Sequence, residues 1–335
     1  MNNKIKNTIK FFLFFCVSVV LFWLVYRDQN FENVMQVLED DVNYFWVILA
    51  AAFGLLSHIS RAMRWQIVMK SLDYNVSFGN SFMGVMLGYF MNLFIPRMGE
   101  LTRCGIVNKY EKVPFSKLLG TVIVERVVDV IMLLILIFIV VVTQFKQFFG
   151  FFEQNKAVSN NVSGMFTIKF VMYLMLAIGI CIFIVWLLMK TKLKDKLINF
   201  LVGLKDGFMA VVRMKQKWSF IAHTIFIWLM YYLMLYICFF AFDFSSHLGP
   251  LVALTVFVLG SFGMVAPVQG GIGAWHFMVI KSMLLYIPNT PAMESNAKIF
   301  ALLTHGSMTA LYVVVGVICL IILPIYNSNY TKTNN

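Results

Sequence analysis

Charged residues are scarce in this chain. Asp, Glu, Lys and Arg together make up 13% of the 335 residues, whereas 61% of the residues are hydrophobic. A soluble domain has about 25% charged and about 45–50% apolar residues, so this chain has too little polar surface to cover itself in water. The composition therefore excludes an ordinary soluble protein and indicates that lipid is the solvent for most of the chain.

Acidic residues are scarcer than basic ones. The chain has 15 Asp and Glu and 27 Lys and Arg, which gives a net charge of +12. In a soluble protein this excess would indicate nucleic acid. Here the basic residues lie mostly in short segments between apolar runs, where they determine topology and face anionic lipid. We expect a membrane lipid as the partner and no nucleic acid.

Motifs for metal binding and catalysis are missing. The cysteine count is odd, at five, and no C-x-x-C spacing occurs, which argues against a disulfide framework or a zinc site. The chain also has no G-x-S-x-G, H-E-x-x-H, Walker A or dinucleotide-binding motif. The longest loops run to about 25–30 residues, below the size of a domain. We therefore expect one transmembrane domain over 1–335, with no soluble catalytic domain, catalytic residue, metal or cofactor, and no enzyme activity.

Long apolar runs, in contrast, are abundant. A helix needs about 20 apolar residues to cross the hydrocarbon core, and six runs are long enough: 8–26, 44–63, 117–143, 167–189, 218–242 and 298–323. Two further apolar stretches, 79–110 and 250–287, are interrupted at 96–100 and at 267–273. The sequence predicts an all-α polytopic membrane protein with about six full spans and two broken stretches.

The basic residues indicate how the broken stretches insert. Lys4, Lys6 and Lys10 stand at the start of the first run, which predicts a cytoplasmic N-terminus, and the acidic loop 27–43 then lies outside. A complete crossing by 79–96 would put the basic residues of 97–117 outside, so we expect 79–110 to enter from the cytoplasm and turn back at Pro96. The flanks of 250–287 have no Lys or Arg, so this stretch is expected to enter from outside, which leaves the C-terminus cytoplasmic.

This order predicts an inverted repeat. The halves, about 1–143 and 167–325, each read as span, span, re-entrant hairpin, span, in opposite orientations. Inverted repeats with broken helices that meet near the midplane are typical of secondary transporters. The alternative, that both interruptions are kinks in full spans, stays open at this stage.

The first hairpin tip carries Arg97 and Glu100, with Arg103 one turn further on. Ionisable residues at membrane depth are costly unless paired or wet, and they are functional candidates by default. Arg97 and Arg103 are candidates to hold a lipid phosphate, since a guanidinium matches phosphate oxygens bidentately. Glu100 has the spacing to pair with either arginine, so an ion-paired network that only fixes the hairpin is the alternative.

Two spans carry further charges. In 117–143, Glu125 and Asp129 are four residues apart and share a helix face, and Arg126 has the spacing to pair with Asp129. The surplus negative charge can meet Arg97 or Arg103, bind a proton or cation, or form a structural salt bridge. At the end of 44–63, we interpret Arg61 as a candidate to face a cavity. We expect the Arg64 and Trp65 that follow to anchor the helix at the interface.

The second hairpin tip combines Pro267 with Gly270, Gly271 and Gly273. A half-helix that starts near Ala274 would direct free N–H groups to the midplane as an anion site. Close helix packing is the alternative use of such glycines.

Four stretches together resemble a known family, the lysylphosphatidylglycerol synthase transmembrane region, also called the flippase-like or uncharacterised protein family 0104 group. They are 61–65, 92–103, 124–129 and 267–274. Their order and spacing are similar to the family's, and the resemblance covers nearly the whole chain. It implies lipid handling, because in the multiple peptide resistance factor such a domain is linked to moving aminoacylated phosphatidylglycerol between leaflets. Aminoacyl transfer there belongs to a separate soluble domain, which we do not expect here.

The resemblance and the charged tips together predict a lipid flippase or transporter of the bacterial inner membrane. The expected cargo is an anionic or headgroup-modified lipid, such as an aminoacyl-phospholipid or a polyprenyl-linked lipid. One alternative is an intramembrane headgroup transferase that uses Glu100 or His305. Another is a non-transporting partner of a separate synthase or glycosyltransferase.

Overall fold

The computed structural model describes residues 3–144, 213–266 and 268–328, which form helices and turns and contain no strand. The helices are α1 Asn3–Tyr26, α2 Phe31–Asp40, α3 Tyr44–Lys70, α4 Phe78–Asn92, α5 Met98–Glu111, α6 Phe115–Thr143, α7 Lys217–Cys238, α8 Asp243–Ser246, α9 Pro250–Val265, α10 Ala274–Met283 and α11 Pro291–Tyr326. Short 3₁₀ turns occur at Phe239–Ala241 and Gln269–Gly271. The all-α membrane fold predicted from composition is confirmed.

Four of the described helices are long and apolar enough to cross a membrane, and they coincide with four predicted spans. They are Tyr44–Lys70, Phe115–Thr143, Lys217–Ala241 and Pro291–Tyr326. Helix α1 covers the predicted first span, and the predicted span 167–189 lies outside the described residues. Large apolar side chains such as Phe138 and Leu134 on α6 are exposed, as expected of a surface that lipid solvates.

The first broken stretch is a helical hairpin. Helices α4 and α5 pack against each other, and the chain reverses at 93–97, where the sequence predicted the break. The arms cross at Gly88 and Gly99, and a Cβ atom added to Gly99 would overlap the carbonyl oxygen of Gly88. Only glycine allows this approach, so the spacing of these two residues fixes where the arms meet.

The second broken stretch is also a hairpin, formed by α9 and α10. Its tip needs unusual backbone, because Gly271 and Gly273 have φ angles of 80° and 82°, a region that L side chains rarely adopt. The arms pack closely at Gly263, where an added Cβ atom would lie 2.5 Å from the Cα atom of Trp275. The kinked-span alternative is wrong for both stretches.

The two hairpins open toward opposite ends of α11, which is about 54 Å long at 1.5 Å per residue. At its C-terminal end, Asn327 exchanges hydrogen bonds with Asn80 at the base of the first hairpin (3.0 and 2.8 Å). At its N-terminal end, Glu294 lies 3.7 Å from Lys281, close to the base of the second hairpin. The hairpins therefore enter the bundle from opposite ends. Which end faces the cytoplasm stays a prediction.

Helix packing follows a reciprocal pattern. Helix α5 packs on α6 and α10 on α11, while α4 packs on α11 and α9 on α6. Helices α3 and α7, the corresponding spans of the two predicted halves, pack against each other. This is the pattern expected of two halves related by a pseudo-two-fold axis, although the division into inverted halves itself stays a prediction.

Candidate functional site at the first hairpin

Helix α6 carries two carboxylates into the interior of the bundle. Glu125 and Asp129 lie on one face, and both are buried, whereas Phe138 and Leu134 further along the helix are exposed. The predicted shared face is confirmed. A carboxylate removed from water is destabilising unless cations and hydrogen-bond donors compensate it, so the partners of these two residues decide what the site is.

Arg64 of α3 is the central partner. Its side chain is 0% exposed, with Nε 3.3 Å from Oε1 of Glu125 and Nη1 2.9 Å from Oδ1 of Asp129. Nη1 also donates to Oγ1 of Thr224 at 3.1 Å, and the guanidinium lies 5.4 Å from the ring centre of Phe220. One side chain thus joins α3, α6 and α7.

Arg103 ties the outgoing arm of the first hairpin to the same network. Its Nη2 donates to Oε2 of Glu125 at 2.6 Å, and its guanidinium lies 4.6 Å from the ring centre of Trp65. The Trp65 indole donates in turn to Oγ1 of Thr121 at 2.7 Å. The hairpin arm is held by a charge-assisted hydrogen bond and by a cation–π contact.

Arg61 is paired more loosely. Its Nη1 lies 3.5 Å from Oδ2 of Asp129, an ion-pair distance without a hydrogen bond, and its side chain is 6% exposed. Neither Nε nor Nη1 has a hydrogen-bond partner among the described residues. The guanidinium lies 5.8 Å from the ring centre of Tyr231, whose hydroxyl is 2.9 Å from that of Tyr89.

A cavity of about 90 Å³ lies beside this network. It is lined by Arg61, Val85, Gly88, Tyr89, Asn92, Gly99, Glu100, Arg103 and Arg126. Glu100 and Arg126 form the exposed part of the lining, with side chains 40% and 46% exposed and Oε1 3.3 Å from Nε. The cavity thus has buried arginines on one wall and a half-exposed ion pair on another.

The structure brings together six of the eleven predicted site residues: Arg61, Glu100, Arg103, Glu125, Arg126 and Asp129. The predicted Arg126–Asp129 contact is present, with Nη2 3.6 Å from Oδ2. The expected partner of Glu100 was wrong, since Glu100 pairs with Arg126 rather than with Arg97 or Arg103. The reason is that α5 turns its first residues toward α6, a packing that local spacing does not encode.

Arg97 lies apart from the network. It is exposed, it has a left-handed backbone (φ 63°) where α5 begins, and it does not line the cavity. The structure therefore does not place Arg97 beside Arg103 in a joint phosphate site, because the turn directs it away from the bundle. Its functional role stays a prediction that this geometry does not favour.

The second tip comes close to the first at Gly270, where an added Cβ atom would lie 3.2 Å from the Leu93 side chain. Gly270, Gly271 and Gly273 do not line the cavity, and Pro267 lies outside the described residues. The Gly270 carbonyl is 2.9 Å from Nε2 of His305, and the Gly273 N–H donates to Nδ1 of His276. The expected anion site at the start of α10 is therefore partly occupied by the protein's own hydrogen bonds.

Sequence reasoning missed Arg64 and Trp65. Both were expected at the membrane interface, but both are 0% exposed inside the bundle. A signal was available: Ser57, Arg61 and Arg64 share one helix face, and a serine on the same face as two arginines indicates an interior polar stripe rather than an interfacial belt.

The described residues hold no group of three His, Cys, Asp or Glu side chains that would bind a metal ion. The four described cysteines, Cys16, Cys104, Cys238 and Cys319, are free. Arginine and carboxylate side chains make up the charged part of the site, and their chemistry is that of binding ions.

Comparison with known proteins agrees with the four stretches of resemblance. The family model described as the lysylphosphatidylglycerol synthase TM region matches residues 10–316. A UPF0104 membrane protein of Methanocaldococcus jannaschii is 32% identical over 150 residues, which cover 43% of this chain and 44% of that protein. One from Pyrococcus horikoshii is 28% identical over 117 residues, covering 34% and 33%.

The matched segments thus span less than half the length of either relative. No solved structure matches the chain. Both relatives are archaeal, so the placement of this chain in a bacterial inner membrane stays a prediction, whereas its multi-pass membrane character is supported by family and fold together.

Proposed function

This chain belongs to the family of the lysylphosphatidylglycerol synthase TM region, and on that basis we propose that it moves an anionic or headgroup-modified lipid between the leaflets of its membrane. The observation that carries the proposal is the buried arginine–carboxylate network beside a cavity at the first hairpin. Buried charge of this kind within a membrane bundle is costly, and it marks substrate or ion pathways in membrane proteins.

The arrangement of the hairpins supports movement rather than simple retention of a lipid. The hairpins enter from opposite ends and come close to each other at Leu93 and Gly270. In transporters with broken helices, such a meeting point separates the two sides of the membrane, and one repeat moves against the other around it. A polar headgroup would cross here while the acyl chains stay in lipid along the exposed apolar face of α6.

The proposal includes no chemical change to the lipid. The two residues weighed for a transferase are both engaged, Glu100 with Arg126 and His305 with the Gly270 carbonyl. We accordingly propose a transporter that is not an enzyme.

The test is a transbilayer assay with purified protein in liposomes. Fluorescent phosphatidylglycerol, aminoacyl-phosphatidylglycerol and a polyprenyl phosphate are each supplied in the inner leaflet, and their exposure outside is followed by a membrane-impermeant quencher. We expect at least one lipid to appear outside faster than in protein-free liposomes, and to be recovered chemically unchanged.

Two outcomes would overturn the proposal. Recovery of a modified headgroup would assign the protein to the transferase class. An unchanged distribution of all three lipids, with folded protein verified in the same liposomes, would favour a non-transporting partner of a synthase or glycosyltransferase.

A further inference from the structure

The cavity beside the first hairpin carries a charge that the protein does not balance. Among the described residues of the network, three buried arginines, Arg61, Arg64 and Arg103, face two carboxylates, Glu125 and Asp129. The ion pair between Arg126 and Glu100 at the exposed part of the lining is neutral as a unit. The site therefore has one surplus positive charge.

The hydrogen bonds show which arginine carries the surplus. Arg64 donates to both carboxylates, and Arg103 donates to Glu125. Arg61 donates to neither of them and contacts Asp129 only at an ion-pair distance of 3.5 Å. Arg61 therefore has the weakest contact with the carboxylates of the three arginines, and its side chain lines the cavity.

The size and charge of the cavity restrict what that ligand is. A volume of about 90 Å³ corresponds to about three water molecules at their share of liquid volume, which suits one phosphate-sized oxyanion. The half-exposed Glu100 and Arg126 mark the open side of the cavity, where the rest of a lipid would continue. A phosphodiester carries one negative charge, while a phosphate monoester carries about −1.5 to −2 at neutral pH. One surplus positive charge matches the diester.

Glu100 does not change this match. Its carboxylate lines the same cavity but is paired there with Arg126, so the two side chains add no net charge.

We propose that Arg61, which lines the cavity and donates to neither carboxylate, binds the phosphodiester of a lipid that carries a single negative charge there. The inference rests on the proposed function for the source of the ligand. It assigns the anion to Arg61 rather than to Arg97, and it leaves Arg64 and Arg103 as the residues that position the carboxylates.

The test measures lipid binding by purified protein in neutral detergent, by native mass spectrometry and by thermal shift. The probes are phosphatidylglycerol, phosphatidic acid, phosphatidylcholine and inorganic phosphate. For the wild type we expect phosphatidylglycerol to bind at least about tenfold more tightly than phosphatidic acid, since one unfavourable charge contact corresponds to that factor or more.

The decisive variants are Arg61→Gln and Arg97→Gln. Arg61→Gln removes the surplus charge while Arg64 and Arg103 still hold both carboxylates, so it should fold, and it should weaken phosphatidylglycerol binding by at least about tenfold. Arg97→Gln removes an exposed arginine of the same charge and should leave binding within about twofold of the wild type. Arg61→Lys retains the charge, so its affinity for phosphatidylglycerol should lie between those of Arg61→Gln and Arg97→Gln. It also distinguishes loss of the charge from loss of folding.

Each other outcome overturns the proposal. A loss of binding in Arg97→Gln without a loss in Arg61→Gln would move the site to the exposed tip. Equal binding of phosphatidic acid and phosphatidylglycerol by the wild type would by itself show that the site does not select a ligand with one negative charge. Full displacement of phosphatidylglycerol by millimolar inorganic phosphate would assign the site to free phosphate instead of a lipid.

Failure here and failure of the proposed function are distinguishable. Binding that depends on Arg61 without movement between leaflets would leave this inference standing and refute the transporter. Lipid movement that does not depend on Arg61 would support the transporter and refute the role of Arg61.

Discussion

Gly99 lies directly against the carbonyl oxygen of Gly88 where the two arms of the first hairpin cross. The contact sets the position of α5, the helix from which Arg103 reaches Glu125 at 2.6 Å. The position of a buried charge therefore depends on the absence of a side chain at two other positions.

The first prediction follows from this contact. Gly99→Ala should force the arms apart and lower the free energy of unfolding by about 1–3 kcal/mol, the usual cost of overpacking. Gly105→Ala on the same arm is the matched control, because an added Cβ atom there meets nothing within 4 Å. Thermal unfolding in detergent should show a lower Tm for Gly99→Ala and an equal or higher Tm for Gly105→Ala. Equal Tm values for the two variants would contradict the close crossing.

The second prediction concerns the role of Arg64. Arg64→Met should destabilise the protein by about 3–5 kcal/mol, because it removes the hydrogen bonds that Arg64 donates to both buried carboxylates. Adding Asp129→Asn should recover part of the loss, since one of the stranded charges is then removed. Denaturant unfolding of the single and double variants measures both steps. A single variant as stable as the wild type would mean that Arg64 is an interfacial anchor after all.

The third prediction concerns His58, whose side chain is 0% exposed and whose ring nitrogens both lack a hydrogen-bond partner among the described residues. The ring packs against Tyr89 and Tyr312, with centroid distances of 4.3 and 5.4 Å. His58→Phe should keep this packing and remove the unsatisfied nitrogens, so the Tm should stay equal or rise.

His223→Phe is the matched comparison for His58, because its Nδ1 lies 2.8 Å from Oγ of Ser60. That variant should lower the Tm, because the loss of one hydrogen bond lowers the free energy of unfolding by about 0.5–1.5 kcal/mol. If His58→Phe proved the more damaging of the two, the imidazole would have a partner that these contacts do not include.

The fourth prediction concerns sidedness. The base of the first hairpin lies at the C-terminal end of α11, where Asn80 bonds Asn327. The segment before α3 lies at the N-terminal end of α11, where Gln29 bonds Ser295, so single cysteines at Lys117 and at Asp41 should lie on opposite sides of the membrane. In intact cells, an impermeant maleimide should label Asp41→Cys and not Lys117→Cys, because basic segments stay in the cytoplasm. Labelling of both after permeabilisation is the control. Labelling of Lys117→Cys alone would reverse the predicted orientation.

Much of the fold could be predicted from sequence because it depends on local patterns. Apolar run length identified the long helices, and the interruption near Pro96 identified the first hairpin, since proline and charge end a helix within an otherwise apolar stretch. The Arg126–Asp129 contact was also predictable, because residues three apart on a helix are neighbours.

The sequence by itself determined that the chain is a membrane bundle with two broken helical hairpins, because composition, run length and glycine or proline position act within single segments. Only the tertiary structure decided how the arginines divide their roles: Arg64 with both carboxylates, Arg61 at the cavity and Arg97 in the open. Arg64 and Glu125 are 61 residues apart, and whether they meet depends on the rotation and depth of two helices packed against each other. Those quantities are set by the summed contacts of the whole bundle, which no local pattern contains.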